Sequence, residues 1–256
     1  MISIWLTYVP SIFLMSNNSN KYQTVSEAGA VHSKSPLGGF RGPRIKICCI
    51  SSVDEAKLAV AHGASALGLV GPMPSGPGVI TDELIFDIAK TVPPPIGTFL
   101  LTSETKAEAI IAHHQKVLTN TIQIVDALQE GSYAQIKKAL PAVKLVQVIH
   151  VIDESSVDEA IRISEEVDAL LLDSGNPNLA IKVLGGTGNT HNWTLSRKIV
   201  EQAKVPVFLA GGLKAENVKQ AIEEVQPFGL DLCSSVRTDK KLDAYKLDAF
   251  FKAAWS

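Results

Sequence analysis

At residues 142–174 the chain reads AVKLVQVIHVIDESSVDEAIRISEEVDALLLDS. Two aliphatic runs, 142–150 and 167–173, enclose a segment whose apolar positions recur at helical spacing. The stretch therefore predicts strand, helix, strand, with the helix over 156–166. Neither run alternates cleanly with polar residues, which is the pattern of strands covered on both faces in a parallel sheet.

The same unit recurs on either side. Upstream, strand-like runs are RIKICC (44–49), ALGLVG (66–71), IGTFLL (96–101) and TIQIVD (121–126); downstream they are PVFLAG (206–211) and GLDLCS (229–234). Amphipathic segments accompany them at 52–62, 81–90, 103–115, 132–140, 194–204, 215–225 and 243–254. Eight strands and eight helices between 44 and 256 predict an α/β fold, a single closed (β/α)8 TIM barrel, in preference to an open doubly wound sheet. The string SSVDEA at 51–56 returns at 155–160, after strands one and five, where a four-plus-four duplication would put it. The local reading is that Ser52 with Glu55, and Ser156 with Glu159, are capping boxes, to which unrelated helix starts converge. On either account two helix starts are marked.

The 256 residues are thus expected to divide into a flexible N-terminal extension, 1–43, and a barrel domain, 44–256. MISIWLTYVPSIFLM (1–15) is apolar, but it lacks a basic leader, contains Pro10 and is too short to span a bilayer. A polar stretch opens at Met15 and would serve as a start of its own, so the first 14 residues read as an upstream-start segment or an exposed tail. Hydrophobic residues make up 46% of the chain and charged residues 20%, enough apolar mass for one large core. With 24 basic and 26 acidic side chains the net charge is -2, so no basic field gathers nucleic acid or a membrane surface, and a small molecule is the expected partner. Cys48, Cys49 and Cys233 show no paired spacing, which argues against a disulfide framework and for a reducing, cytoplasmic setting.

A parallel barrel builds its site at the carboxyl ends of its strands. On strand one, period-two alternation places Lys46 and Cys48 on one face and Ile45 and Ile47 on the other. If the isoleucines meet the helices, an ammonium and a thiol point into the barrel, and the ammonium favours thiolate; the ordinary reading of a cysteine there is a packed core residue. Strand six ends in LLLDS, which sets Asp173 at the mouth, followed by a long loop containing GGTG (185–188) that reads as slack or as a lid. Strands seven and eight run into LAGGL (209–213) and LCSSV (232–236), small residues that let backbone N–H groups approach a phosphate.

Taken in order, KICCI, IQIVD, LLLDS with GGTG and HNW, LAGGL with Asn217-Val218, and SSV resemble the phosphoribosylanthranilate isomerase family over 44–256. The family pattern is KICGI, VQLHG, LLDS with GGTG and FDW, LAGGL with NV, and SGV. The resemblance implies an isomerase of tryptophan biosynthesis that carries out an Amadori rearrangement of N-(5-phosphoribosyl)anthranilate, with no metal and no organic cofactor. It implies a general acid at Asp173, a general base at Cys48, and a phosphate cradle at Gly211, Gly212, Ser234 and Ser235. Lys46, Gln123, Asp126 and Gly186 are further substrate-side positions. Apolar surroundings on strand six would keep the acid protonated, and Lys46 would help the thiol lose its proton. The implied partner is a phosphosugar, and the chain a monomer or homodimer.

The departures cluster on the substrate side. Cys49 stands where the family has glycine, and Gly78 where the SPR motif has the arginine that resembles a clamp for the anthranilate carboxylate. Val125 replaces the histidine of VQLHG, and Asp126 adds a carboxylate near the same rim. A non-catalytic phosphosugar-binding barrel, or an isomerase of a related ribosylamine phosphate, is the alternative. Lys182 or Arg237 could replace the lost cation. His113 and His114 are adjacent on a helix, where side chains diverge by about 100°, a poor geometry for a shared metal; His62 and His150 read as packing or surface residues, which leaves His191, in the HNW that stands for FDW, as the one histidine of interest.

Overall fold

β1 (Arg44–Ile47) shows how the two faces of the sheet are assigned. Ile45 and Ile47 are buried in the apolar layer between strands and helices, while Lys46 between them turns into the barrel to meet Asp231. A fully buried aliphatic side chain of this kind contributes roughly 1.5–3 kcal/mol, so the alternation is enforced at every strand. The computed structural model describes residues 42–74, 76–175 and 191–256, within one compact unit. The expected extension up to residue 41, Lys182, and Gly186 with the rest of GGTG lie outside the described residues.

β2 (Ala66–Val70), β3 (Gly97–Thr102), β4 (Thr121–Ile124), β5 (Lys144–His150), β6 (Ala169–Asp173), β7 (Val207–Leu209) and β8 (Gly229–Leu232) follow in spatial order, and β8 pairs with β1 to close the barrel. Closure sets Lys46 opposite Asp231 in register. All these pairings are parallel, as continuous apolar runs demand. The crossovers carry α1 (Val53–Ala61), α2 (Asp82–Ala89), α3 (Ala107–Val117), α4 (Tyr133–Ala139), α5 (Ser155–Ser164), α6 (Trp193–Gln202) and α7 (Val218–Val225), with α8 (Ala244–Trp255) after β8. The predicted TIM barrel is the observed fold.

Two local expectations need correction. Ser52 caps α1, its Oγ accepting from the Glu55 N–H at 3.1 Å, but Ser156 does not cap α5. That helix begins one residue earlier; Ser156 Oγ accepts from the Ile152 N–H and donates to the His150 carbonyl, tying the helix to the end of β5. α7 starts at Val218 rather than 215, because Asn217 spends its amide on the preceding turn, accepting from the Lys214 N–H at 2.8 Å and donating to the Gly212 carbonyl at 3.0 Å. After β8 a 3-10 turn (Ser234–Val236) leads into a hairpin, β9 (Arg237–Thr238) and β10 (Lys241–Leu242). Asp239 and Lys240 bridge it with φ of 48° and 65°, the left-handed pair a tight two-residue hairpin needs.

Candidate active site

A cavity of about 310 Å³ opens at the carboxyl ends of the strands. Cys48 and Asp173 both line it. Cys48 continues β1, its N–H bonded to the Leu232 carbonyl at 2.7 Å, and its side chain is buried. Asp173 ends β6 and is 8% exposed, its Oδ1 accepting from the Ser174 N–H at 2.8 Å. Burial, with the Asp231 charge adding to it, raises the Asp173 carboxyl from its ordinary 3.8 to about 6. This is the direction the apolar strand predicted.

Below the cavity floor, Lys46 Nζ donates to Asp231 Oδ1 at 2.9 Å and lies 5.3 Å from the centre of the Phe99 ring. A Cβ added at Gly68 would fall 2.8 Å from Cys48 Sγ and 3.1 Å from Lys46 Nζ, so the glycine makes room for thiol and ammonium side by side. Lys46 thus stands beside the Cys48 thiol. Its charge is shared with Asp231, and the fully buried lysine does not border the cavity. Burial works against the Lys46 charge, but the Asp231 carboxylate outweighs it and the pKa rises. Asp231 itself lines the cavity and was missed in the sequence. The signal was there: a carboxylate between outward-facing Leu230 and Leu232, the mirror of Lys46 between two isoleucines.

Between β6 and β1, the ends of β7 and β8 gather Gly211, Gly212, Ser234 and Ser235, all bordering the cavity. Gly211 and Gly212 have φ of 82° and 61°, and a Cβ on Gly211 would come within 2.9 Å of Ser174 Oγ. Gly211 thus lets the end of β7 press against the residue that follows Asp173. Ser235 Oγ is buried without a hydrogen-bond partner, as is Gln123 Oε1 at the end of β4. Both are polar atoms left for a ligand to satisfy. Among the described lining residues, Lys214 is the single Lys or Arg.

Several positions fall elsewhere. Asp126 does not line the cavity, and one of its oxygens accepts from the Ala127 N–H, whereas Val125 does line it. Arg237 is no substitute clamp: its guanidinium is held by Glu55 at 3.0 Å and by the Cys49 carbonyl at 2.5 Å. Burial alone would raise Glu55, but the Arg237 hydrogen bonds prevail and hold its carboxyl below the ordinary range. His113 bonds Thr102 and Asp82, and His114 the Thr119 carbonyl, so both serve packing. His191 bonds Ser196 Oγ on α6 and does not border the cavity; burial lowers its pKa to about 4. No group of three or more His, Cys, Asp or Glu among the described residues is placed to hold a metal, and no helix among them is long and apolar enough to cross a membrane.

Residues 45–253 match the family described as N-(5'phosphoribosyl)anthranilate (PRA) isomerase. The chain is 35% identical over 195 residues to N-(5'-phosphoribosyl)anthranilate isomerase 2 of Methanosarcina mazei, covering 76% of this chain and 85% of that one. The crystal structure of phosphoribosyl anthranilate isomerase from Thermotoga maritima superposes with a TM-score of 0.69 at 27% identity, over 83% of this chain and 98% of that one. Another phosphoribosyl anthranilate isomerase, solved with reduced 1-(o-carboxyphenylamino)-1-deoxyribulose 5-phosphate, gives 0.67 at 25% identity over the same shares.

Proposed function

This chain belongs to the N-(5'-phosphoribosyl)anthranilate isomerase family, and from that premise we propose that Cys48 and Asp173 carry the family's aldose-to-ketose isomerisation in it. The activity is that of tryptophan biosynthesis, the conversion of N-(5'-phosphoribosyl)anthranilate to 1-(o-carboxyphenylamino)-1-deoxyribulose 5-phosphate.

Asp173 gives its proton to the furanose ring oxygen, the ring opens, and a Schiff base forms between the sugar's first carbon and the anthranilate nitrogen. The Cys48 thiolate then removes the proton from the adjacent carbon, and the resulting enolamine tautomerises to the ketose. Raising Asp173 to about 6 keeps a fraction of the acid form at neutral pH. The ester phosphate sits on Gly211, Gly212, Ser234 and Ser235, with Lys214 as its counter-charge, and Gln123 Oε1 accepts from a sugar hydroxyl. The reaction runs in the cytoplasm, in keeping with three free thiols.

The observation that carries this reading is that Cys48 and Asp173, from opposite parts of the chain, border one cavity. Steady-state turnover of N-(5'-phosphoribosyl)anthranilate by the wild-type chain, Cys48→Ala and Asp173→Asn tests it. Each variant is expected to lose about 10²–10⁴-fold in kcat. Retention of wild-type turnover by either one refutes its assigned role.

A further inference from the structure

The ends of β1 and β8 bring two thiols together: Cys49 Sγ and Cys233 Sγ share a hydrogen bond at 2.7 Å. Both cysteines are free and both border the cavity, so a small molecule entering it meets them. Cys49 has φ of 62°, a left-handed conformation that costs a non-glycine residue roughly 1 kcal/mol or more. That cost is borne by a side chain whose sulfur is turned to Cys233 and to the Pro77 carbonyl, at 3.5 Å.

We infer that Cys49 and Cys233 form a reversible dithiol–disulfide couple in the wall of the catalytic cavity, oxidised by a small peroxide that enters through it. The two thiols are unequal. The hydrogen bond with Cys49, then the Arg237 charge, draws the Cys233 pKa down, while the bonds to Cys233 and then Cys48 push that of Cys49 up. Cys233 is also the more exposed. Its thiolate attacks one oxygen of hydrogen peroxide, the O–O bond breaks, and the departing hydroxide takes a proton to become water, leaving a sulfenic acid on Cys233. The Cys49 sulfur then attacks the Cys233 sulfur, the S–O bond breaks, and the hydroxyl leaves with the Cys49 proton as a second water. Two thiols lose two electrons and the peroxide gains them.

A disulfide spans about 2.05 Å, so the sulfurs close by less than an ångström, but the bond also demands a torsion near 90°. Cys233 must absorb that torsion. It is the residue from which the 3-10 turn with Ser234 and Ser235 starts, so oxidation disturbs the phosphate cradle rather than the fold.

The direction of the effect on turnover rests on the proposed isomerase activity; formation of the bond does not. The full chain is treated with hydrogen peroxide, its disulfides are mapped by mass spectrometry, and KM for N-(5'-phosphoribosyl)anthranilate and affinity for ribose 5-phosphate are measured before and after dithiothreitol. A Cys49–Cys233 linkage that raises KM and weakens ribose 5-phosphate several-fold, both reversed by dithiothreitol and both absent in Cys49→Gly and Cys233→Ser, supports the inference. Three free thiols after treatment, a Cys48–Cys49 linkage instead, or a Cys49–Cys233 bond that leaves ribose 5-phosphate affinity unchanged overturns it. A reduced chain without turnover refutes the isomerase reading alone, and the ribose 5-phosphate measurement still decides the couple.

Discussion

The Cβ of Cys49 stands 2.5 Å from the point that a Cβ on Gly78 would occupy. Two departures from the family pattern, a cysteine for glycine and a glycine for arginine, are therefore one steric event. With Cys49 in place no side chain fits at 78, and Gly78 has φ of 78° besides.

Gly78→Arg alone is expected to destabilise the chain without lowering KM for N-(5'-phosphoribosyl)anthranilate. Joined to Cys49→Gly it is expected to recover about 1–3 kcal/mol of that loss, and to lower KM about tenfold by restoring a charge-assisted bond to the carboxylate. Urea unfolding and steady-state kinetics of the four-member cycle measure both. Strict additivity would show that the two positions are independent.

Asp173 sets activity against stability. Folded Asp173 holds its proton to about pH 6, whereas the unfolded side chain releases it near 3.8, so across that window the folded chain binds more protons and stability falls as pH rises. Asp173→Asn removes the burden at neutral pH and keeps an oxygen for the Ser174 N–H, so it should gain on the order of 2–3 kcal/mol at pH 7 and little at pH 3.5, while turnover is lost. In the wild type, kcat/KM should fall as pH rises above about 6, as the acid form is depleted. Equal unfolding free energies for the two proteins at pH 7 would contradict the first expectation.

Glu55 fastens the end of β1 to the hairpin after β8. Its carboxylate accepts from the Ser51 and Leu242 N–H groups and from both Arg237 terminal nitrogens, and Arg237 in turn holds the Cys48 and Cys49 carbonyls. Glu55→Ala leaves a largely buried guanidinium unpaired and should cost about 3–5 kcal/mol. Because the folded pKa is depressed, the contribution of Glu55 is full above its ordinary range and lost as pH falls through the folded value, so Glu55→Ala should also flatten the acid limb of the unfolding curve. A variant within 1 kcal/mol of wild type at pH 7 would count against this role.

Lys214 is expected to act through binding. Lys214→Ala should raise KM about tenfold with little change in kcat, since the phosphate is remote from the bonds that change. A larger effect on kcat than on KM would place the lysine with the reacting atoms instead.

The alternation of aliphatic runs with amphipathic segments, as in 142–173, determined eight strands, eight helices and a parallel barrel, because that pattern is a local consequence of burial on two faces. It also put Cys48, Asp173, Gly211 and Ser234 at strand ends, and hence on one rim. Only the tertiary structure decided which of these groups touch. Lys46 meets Asp231, Glu55 meets Arg237 and Cys49 meets Cys233 because β1 and β8, the first and last strands, are joined when the barrel closes. Period and propensity act within a few residues of chain. A contact between positions 184 residues apart is set by the register of closure, which no local pattern encodes.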